Sequence, residues 1–299
     1  MRRFTALILI LLLCGCAATA VSDAQEEAPP AAEEAAPQEE SVIVEEQAEA
    51  FTYTIERFQC GDTAVAEDGT ELATYRFDLP MLQVVRADGT VIEDPQTPAE
   101  EQAVAVTADF NGKFSKWAAA EEFSEIVSWA EEDLAFRQEE GMDWPTPYTL
   151  ELDCTVYQTE HLVSVSGTYY SYTGGAHPNH WQLGWNYDLQ TGEFFDPELL
   201  AEGTELQEAV TAELIRQAQL PDESGEIPVE WYWEDYEDIM ANWCCYAVTF
   251  DEAGMTVVFS AYELAPYAAG PQTFQVPYAF LEPYLNDSGR LLLGLGEAP

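Results

Sequence analysis

A glycine-containing turn near the middle of the chain constrains the fold more than any other stretch. It occupies residues 169–180 and reads Tyr-Tyr-Ser-Tyr-Thr-Gly-Gly-Ala-His-Pro-Asn-His. An alternating run at residues 161–170 leads into it, and a second strand-like run leaves it at residues 181–194. The two glycines allow positive φ, and the proline fixes one φ and removes a donor. We therefore expect a sharp turn that presents side chains, among them two of the three histidines.

The first sixteen residues have the layout of a secretory signal. Two arginines precede an apolar run at residues 6–13, which is far shorter than the ~20 residues that cross a bilayer as a helix. The run ends in Leu13-Cys14-Gly15-Cys16, which resembles the lipobox of bacterial lipoproteins. That resemblance implies lipidation of Cys16 and a position on the outside of the cell membrane, held by the lipid anchor. The alternative is an ordinary signal peptide, cut near Ala18 or Ala20.

Residues 17–50 have the composition of a tether. They contain ten Asp or Glu, no Lys or Arg, and three prolines. Such a segment buries too little apolar surface to fold, and its like charges extend it. A flexible chain of this length spans roughly 30 Å. We expect it to connect the membrane to a folded domain.

The remainder, residues 51–299, is long enough for one domain or two small ones and is strongly acidic. It carries 8 Lys or Arg against 46 Asp or Glu, a formal charge of about −38. Nucleic acid is excluded as a partner, since no basic stripe is available to neutralise phosphates, and anionic lipid surfaces are disfavoured. The charge favours a cationic partner through long-range steering. The alternative is that it only keeps an exported protein soluble.

The cysteines leave their pairing open. An exported chain permits disulfides, and the four cysteines after Cys16 allow three pairings. Adjacent Cys244 and Cys245 rarely bond to each other, so a bridge between Cys60 and Cys154 is one hypothesis. No Cys-x-x-Cys spacing suggests zinc or redox chemistry.

Strand and helix patterns alternate along the first part of the folded region. Residues 51–55 alternate apolar and polar side chains, as in a half-buried strand. Residues 74–91 lie among Asp-Gly turn signals and are expected to form a hairpin that Pro80 interrupts. One long helix is predicted over residues 111–138, and a strand follows at residues 150–156. The helix has one apolar stripe, made of Phe114, Trp117, Ala120, Phe123, Ile126, Val127, Ala130 and Leu134.

The second part predicts shorter elements. A strand, a turn and a strand are expected over residues 186–195, and a helix begins after Thr204, with Gln207 completing a capping box. Helices are few and the strands have hairpin spacing. The fold class is therefore α+β, with antiparallel sheets, a long helix and a few short helices, arranged as two small lobes. The later elements are a helix at residues 230–242, a hairpin at 248–262, a strand at 273–276 and a helix at 277–285.

Several stretches in order carry a family resemblance. They are residues 172–177 (Tyr-Thr-Gly-Gly-Ala-His), 187–192 (Tyr-Asp-Leu-Gln-Thr-Gly), 262–270 (Tyr-Glu-Leu-Ala-Pro-Tyr-Ala-Ala-Gly) and 276–278 (Val-Pro-Tyr). The chain resembles the extracellular region of RsiV-type anti-sigma factors, which sense lysozyme. It is also similar to the non-catalytic region of PdaC-type peptidoglycan deacetylases.

The resemblance implies a division of the chain into domains, and the chain also differs from both kinds of relative. A PdaC-type domain is expected at residues 51–192, an RsiV-type domain at 193–290 and a tail at 291–299. RsiV-type chains place a cytoplasmic segment and a transmembrane helix before this region, whereas this chain has a lipobox and an acidic tether. PdaC-type chains continue into a deacetylase, whereas this one stops at Pro299. The expectation is a binding module displayed on a membrane surface.

Residue types for catalysis or metal binding give little signal. His177 and His180 could offer two imidazoles, but a zinc site needs three or four ligands and His161 is distant in sequence. We expect no metal and no cofactor, with His177 hydrogen-bonded to backbone across the turn. Residues 164–167 lack the first glycine of a nucleophile elbow, and carboxylates are too numerous to single out a catalytic pair. A non-catalytic protein is predicted.

A second stretch expected to present a side chain is residues 266–270. Small residues flank Tyr267 and leave its ring accessible for stacking; the alternative is that the ring packs inside against a sheet edge. The aromatic residues at 231–236 are interpreted as the core and rim of a helix, with a sugar platform as the alternative. The predicted ligand-binding residues are Tyr172, Gly174, Gly175, His177, Pro266, Tyr267 and Gly270.

The sequence therefore predicts a lipid-anchored surface protein with a non-catalytic ectodomain. Its expected partner is peptidoglycan or a cationic wall-active protein such as lysozyme. The alternatives are a cell-wall-modifying hydrolase or deacetylase, and a structural lipoprotein with no specific ligand.

Overall fold

The computed structural model describes residues 51–144, 146–221 and 225–296. The predicted signal sequence, the Cys16 that is predicted to be lipidated and the predicted acidic tether lie outside these ranges. The described residues belong to one compact unit. In the ranges described, no helix has the length and hydropathy needed to cross a membrane.

The strands form two sheets. One has six strands in the order β1-β2-β3-β4-β5-β6, and the other has three in the order β7-β8-β9. The strands of the first are β1 (Phe51–Val65), β2 (Glu71–Arg86), β3 (Tyr148–Gln158), β4 (Leu162–Tyr172), β5 (Asn179–Asp188) and β6 (Glu193–Phe195); those of the second are β7 (Ala247–Phe250), β8 (Gly254–Phe259) and β9 (Gln272–Pro277).

Two long helices and several short ones accompany the sheets. The helices are α1 (Pro98–Ala118), α2 (Phe123–Glu140), α3 (Glu205–Ala218), α4 (Tyr236–Ala241), α5 (Tyr278–Leu281) and α6 (Asp287–Leu292). Short 3₁₀ turns occur at Pro197–Leu200, Pro228–Trp231, Trp243–Cys245, Tyr267–Ala269 and Glu282–Tyr284.

The predicted α+β class with antiparallel sheets is confirmed, with one parallel pair that the sequence did not indicate. Strands β2 and β3 run parallel from Ala73↔Tyr148 to Asp78↔Asp153, and every other pairing in the two sheets is antiparallel. A parallel pair requires a crossover connection, which is usually helical. Here α1 and α2 occupy the connection between the two strands.

The predicted single helix over residues 111–138 is wrong in both its start and its continuity. The helix begins thirteen residues earlier, where Thr97 accepts a hydrogen bond from the Glu100 backbone N–H at 3.3 Å and Pro98 takes the first helical position. A turn then separates α1 from α2, and within it Ala120 has a φ of 45°. The apolar stripe continues across this turn, so its periodicity could not reveal the break.

The predicted interruption at Pro80 is also wrong. Strand β2 runs through Pro80, which lies opposite Arg57 of β1. Strand β3 pairs with β2 only at residues 73–78, so β2 has a partner on one side at the proline. A strand with one free edge accepts proline without losing a ladder hydrogen bond.

In the described ranges, two large hydrophobic cores form on the two sheets, and a small third cluster joins Val84, Ile92 and Ala103. In the first core, α1 and α2 cover one face of the six-stranded sheet, with Phe110 and Phe114 fully buried against it. The second core joins α3 to the three-stranded sheet and reaches Leu162 at the start of β4. The apolar side of α3 is the predicted one, Leu206, Val210 and Leu214.

The two sheets meet at a seam on β4, β5 and β7. Ser164 Oγ donates to Asn186 Oδ1 at 2.8 Å and accepts the Phe250 backbone N–H at 2.8 Å. The Asn186 side-chain amide donates to the Val248 carbonyl at 2.9 Å. A Cβ at Gly184 would lie 2.6 Å from the same carbonyl, so this position must lack a side chain. The seam ties both cores into one unit.

Two further predictions are corrected. Cys60 and Cys154 are both free thiols. They lie on β1 and β3 with β2 between them, a separation of about 10 Å that a disulfide cannot bridge.

Thr204 does precede α3, but it forms no capping hydrogen bond to backbone and instead donates to Glu208 at 2.9 Å. Gln207 donates to the Ala241 carbonyl, so the capping box is absent.

Candidate binding surface

The central turn lies between β4 and β5 and has the predicted backbone geometry. Gly174 and Gly175 have φ values of 88° and 97°. A Cβ at Gly174 would also lie 3.0 Å from the Tyr148 hydroxyl. Tyr172 closes the turn, because its hydroxyl donates to the Gly175 carbonyl at 3.3 Å. The first glycine is thus required by both conformation and space, and the second by conformation alone.

His177 connects this turn to a distant loop. Its Nδ1 lies 2.9 Å from the Pro178 carbonyl, which can only accept, so Nδ1 carries the proton. In the neutral ring Nε2 is then an acceptor, and the Tyr262 hydroxyl donates to it at 3.1 Å. A backbone bond is therefore present, but it is made to the adjacent residue and not across the turn as predicted. The second bond, 85 residues along the chain, was not predicted.

The same imidazole stacks on Tyr267. The ring centroids are 3.9 Å apart and the planes differ by 17°. Tyr262 lies beside this pair, with its ring 5.5 Å from that of Tyr267 and 6.1 Å from that of His177. Tyr267 is half-buried and packs against His177. Its ring is therefore neither fully accessible, as predicted, nor packed in the core, as the alternative had it. The structure thus brings the two predicted presenting stretches together.

The loop that carries Tyr262 is strained and fixed by its neighbours. Tyr262 has a φ of 74°, which costs a non-glycine residue on the order of 1–2 kcal/mol. The Trp233 indole donates to the Tyr262 carbonyl at 3.1 Å, and its backbone N–H donates to the Leu264 carbonyl at 2.8 Å. Gly270 closes the loop with a φ of 70° and a bond to the Tyr267 carbonyl at 3.0 Å. These contacts hold Tyr262 with half of its surface exposed.

A groove of about 370 Å³ runs beside this loop. Trp231 is 58% exposed on its wall, whereas Tyr232 packs against the second core and donates to Gln272 at 3.0 Å. Burial raises the pKa of Tyr232 to about 12. The aromatic cluster is therefore divided between surface tryptophans and packed tyrosines. The groove is lined by Glu226, Pro228, Trp231, Pro266, Ala268, Ala269 and Gln272.

We call His177, Tyr262, Tyr267, Trp231 and Trp233 the turn–loop surface. Its surroundings are acidic, because residues 225–296 contain one basic residue, Arg290, whose guanidinium pairs with Glu282 at 2.7 Å. The exposed carboxylates that follow Trp231 and Trp233 in sequence or flank them are Glu230, Glu234, Asp235, Glu237 and Asp238.

The histidines are not brought together. His161 lies at the start of β4, 3.3 Å from the Gln190 side chain, and the His180 ring packs edge-on against Tyr170 at 5.0 Å. Across the described ranges, no group of three or more His, Cys, Asp or Glu side chains is placed to hold a metal ion. What the turn–loop surface offers chemically is aromatic stacking and hydrogen bonding within a field of negative charge.

Neither the contact between His177 and Tyr262 nor the role of Trp233 was predicted. Tyr262 belongs to the motif at residues 262–270, which could have marked it as a site residue. No sequence pattern marks a non-glycine residue for positive φ, and contacts over 85 residues leave no periodicity.

Comparison with known proteins identifies two regions of the chain. Residues 94–180 match the family model described as deacetylase PdaC, and residues 193–279 match DUF3298, a family of unknown function. No curated protein matches the chain. These two matches confirm the family resemblance that the sequence motifs indicated, and the matched regions are not themselves catalytic.

Two solved structures align with most of this chain. A DUF3298 family member from Bacteroides fragilis aligns over 80% of this chain and 96% of its own, with a TM-score of 0.57 and 16% identity. A DUF3298 family protein from Pseudomonas aeruginosa aligns over 79% and 95%, with a TM-score of 0.47 and 17% identity. The first likeness supports the same fold for this chain.

Proposed function

We propose that this protein, in which a PdaC region precedes a DUF3298 region, is a lipid-anchored, non-catalytic binding protein of the cell surface. Its partner is a cationic wall-active protein of the lysozyme type. The observation that carries the proposal is the turn–loop surface, where two regions distant in sequence are joined through the stack of His177 on Tyr267.

The composition of this surface fits a protein partner. Tyrosine and tryptophan are the residues that most often dominate binding energy at protein interfaces, with a polar rim around them. Tyr262, Trp231 and Trp233 are all exposed here, and the rim is acidic. Complementary charge speeds the encounter with a basic protein, while the aromatic contacts slow its release.

The fixed geometry of Tyr262 supports the same proposal. Its positive φ is strained, and strained residues are over-represented at functional sites. The hydrogen bonds from Trp233 and to His177 keep the side chain in one place before any partner arrives. A preorganised side chain loses less conformational entropy on binding.

A second candidate partner is a cell-wall glycan. The groove beside Trp231 favours it, because the apolar residues Pro266, Ala268 and Ala269 line it together with an exposed indole. Sugar rings present one apolar face, which such a wall accommodates. In this case binding would depend on Trp231 and would be insensitive to salt.

The experiment incubates the purified compact unit, residues 48–299, with a basic lysozyme and separately with insoluble peptidoglycan. We expect saturable capture of the lysozyme without release of soluble glycan. Retention on peptidoglycan alone would favour the second candidate. Release of glycan or acetate would favour the wall-modifying hydrolase or deacetylase, and failure to bind either ligand would contradict both binding proposals.

Salt concentration tests the electrostatic steering of the partner, and a substitution tests its direct contact with Tyr267. Raising salt from ~0.1 M to ~1 M shortens the Debye length from about 10 Å to about 3 Å, so the association rate for lysozyme should fall steeply. Tyr267→Ala should mainly speed dissociation, by about tenfold or more. Trp129→Ala is the matched control, since Trp129 is an exposed aromatic residue on α2. Binding that ignores both salt and Tyr267 would contradict the proposal.

The anchor has its own test. Changing Cys16 to Ser should move the protein from the membrane fraction to soluble or unprocessed forms, and a palmitate analogue should label only the native chain. Unlabelled native protein would contradict lipidation and favour the ordinary signal peptide.

A further inference from the structure

The basic side chains of the described residues fall into two groups. Each of the six arginines forms an ion pair with a carboxylate. Lys113 and Lys116, the only lysines of the chain, form none within 4.0 Å in the part of the chain described. In so acidic a protein, two lysines on one helix that lack a carboxylate partner are an exception among the basic side chains described.

Lys113 lies at a cleft of about 410 Å³ between the two cores. Its ammonium is 5.7 Å from the centre of the Phe194 ring, which stacks in turn on Phe110. Lys116, one helical turn further on, does not line this cleft; it lines a neighbouring pocket to which Lys113 also contributes. The cleft is lined by Lys113, Gly184, Trp185, Asn186, Phe194, Phe195, Asp196, Pro197, Trp243, Tyr246 and Val248.

A buried donor of a residue that lines the same cleft has no hydrogen-bond partner. Trp243 is 8% exposed, and its indole N–H is a buried side-chain polar group that makes no hydrogen bond in the described structure. Buried donors are almost always paired, because leaving one unpaired is unfavourable. An acceptor seated in the cleft would resolve this, and Lys113 would add charge to the same interaction.

We propose that this cleft binds a carboxylate-bearing saccharide. The ammonium of Lys113 and the indole N–H of Trp243 are both donors, which suits a carboxylate. Trp185, Phe194 and Tyr246 give aromatic walls for a sugar ring. Asp196, at the rim, accepts from ring hydroxyls and disfavours ligands with more negative charge than one carboxylate.

The site is distinct from the turn–loop surface. It lies at β5 and β6 and at residues 243–248, and it shares no lining residue with the turn–loop surface or its groove. Clefts where two packed units meet are common ligand sites. Its occupancy is therefore independent of whether a wall-active protein binds elsewhere.

The test uses matched pairs of sugars with the full-length protein in detergent. N-acetylmuramic acid is compared with N-acetylglucosamine, and glucuronic acid with glucose, by titration calorimetry. Each acidic sugar carries a carboxylate that its neutral partner lacks, so we expect the acidic member to bind about tenfold or more tightly in at least one pair. The pair that responds distinguishes a wall-derived source from a plant or host polysaccharide.

Variants locate the binding. Lys113→Gln should weaken the acidic sugar about tenfold or more, and Lys116→Gln should not change it. Trp243→Phe keeps the aromatic ring and removes the N–H, so it should also weaken binding. Tyr267→Ala should have no effect, which separates this site from the proposed protein-binding surface. Equal binding of acidic and neutral sugars, no heat from either pair, or equal effects of the two lysine variants would overturn the proposal.

Discussion

The two cores of this protein are built in different ways. The second uses consecutive strands, β7-β8-β9, joined by hairpin-type connections. The first depends on the parallel pairing of β2 with β3, which joins residues 73–78 to residues 148–153 across two helices. Contacts of long sequence separation are costly to close, so the first core relies more on its helices packing correctly.

The contact between the two cores is polar, unlike the interior of either core. Each has its own apolar cluster, but their seam is formed by the polar pair Ser164 and Asn186 beside Gly184. Gly184 and Asn186 lie between the two regions that match family models, at residues 181–192. The strand that links the two regions therefore also closes the seam between them.

The sharpest way to break the seam is Gly184→Ala. The added Cβ would lie 2.6 Å from the Val248 carbonyl oxygen and 3.0 Å from the Val248 backbone nitrogen, and backbone atoms cannot rotate away as a side chain can. We expect a loss of about 2–3 kcal/mol and separate unfolding of the two cores. Gly112→Ala is the matched control, because nothing lies within 4 Å of its added Cβ and the site is helical. That variant should gain about 0.5–1 kcal/mol.

Urea unfolding followed by both tryptophan fluorescence and circular dichroism checks this prediction. Two transitions in the Gly184 variant, against one in the native protein, would confirm that the seam couples the cores. A native midpoint with a single transition would show that the seam tolerates a side chain.

The hydrogen bonds of the seam are tested by Ser164→Ala. The change strands the Phe250 backbone N–H and removes the donor to Asn186, in a buried position. An unpaired buried group of this kind costs about 1–3 kcal/mol. Ser166→Ala, two residues along the same strand and half-buried, should change the free energy of unfolding by less than about 0.5 kcal/mol. Equal losses in the two variants would locate the effect in the strand, not in the seam.

The elements of the second core were predicted better than those of the first, because the sequence patterns that mark them involve residues close together in the chain. Hairpin spacing placed β7, β8 and β9 within a few residues, and the apolar side of α3 was correct. The crossover was not predictable, since a parallel pair leaves no turn signal between its strands. Thr97 as N-cap and Pro98 at the first helical position are a helix-start signal that could have placed the start of α1. The prediction rested on the apolar stripe alone and missed it.

The two segments of the candidate binding surface could be predicted from the sequence, but the contact between them could not. Glycine pairs and a motif located the turn and the Tyr267 loop, because backbone conformation depends on nearby residues. The stack of His177 on Tyr267 depends on how the two sheets meet at the seam, and no local pattern encodes that. Whether these residues bind a ligand stays a prediction.

The break between α1 and α2 gives a smaller test on the side of the first core. Ala120 has a φ of 45°, which glycine adopts at little cost, so Ala120→Gly should stabilise the protein by about 0.5–1 kcal/mol. Ala118→Gly, at the last residue of α1, should instead lose about 0.5–1 kcal/mol. Thermal unfolding of the two variants measures both. A loss at both positions would favour one continuous helix, as the sequence predicted.

The smallest expected effect concerns Glu263, which connects the second core to β5. Its carboxylate accepts the backbone N–H of Ser260, and the Ser260 hydroxyl accepts the Gln182 backbone N–H at 3.0 Å. Burial raises the pKa of Glu263 despite the opposing hydrogen bond from Ser260. With a folded pKa above the unfolded one, its contribution to stability is complete below the unfolded pKa and is lost as pH rises through the folded pKa.

Glu263→Gln removes this titration and keeps an oxygen that can accept from Ser260. The variant should therefore gain stability relative to the native protein between about pH 4 and pH 7, by less than about 1 kcal/mol. Urea unfolding at several pH values gives the difference directly, and the acidity of the rest of the chain cancels in it. If the native protein instead gains on the variant as pH rises, the bond to Ser260 outweighs burial, and the loop is held to β5 by charge.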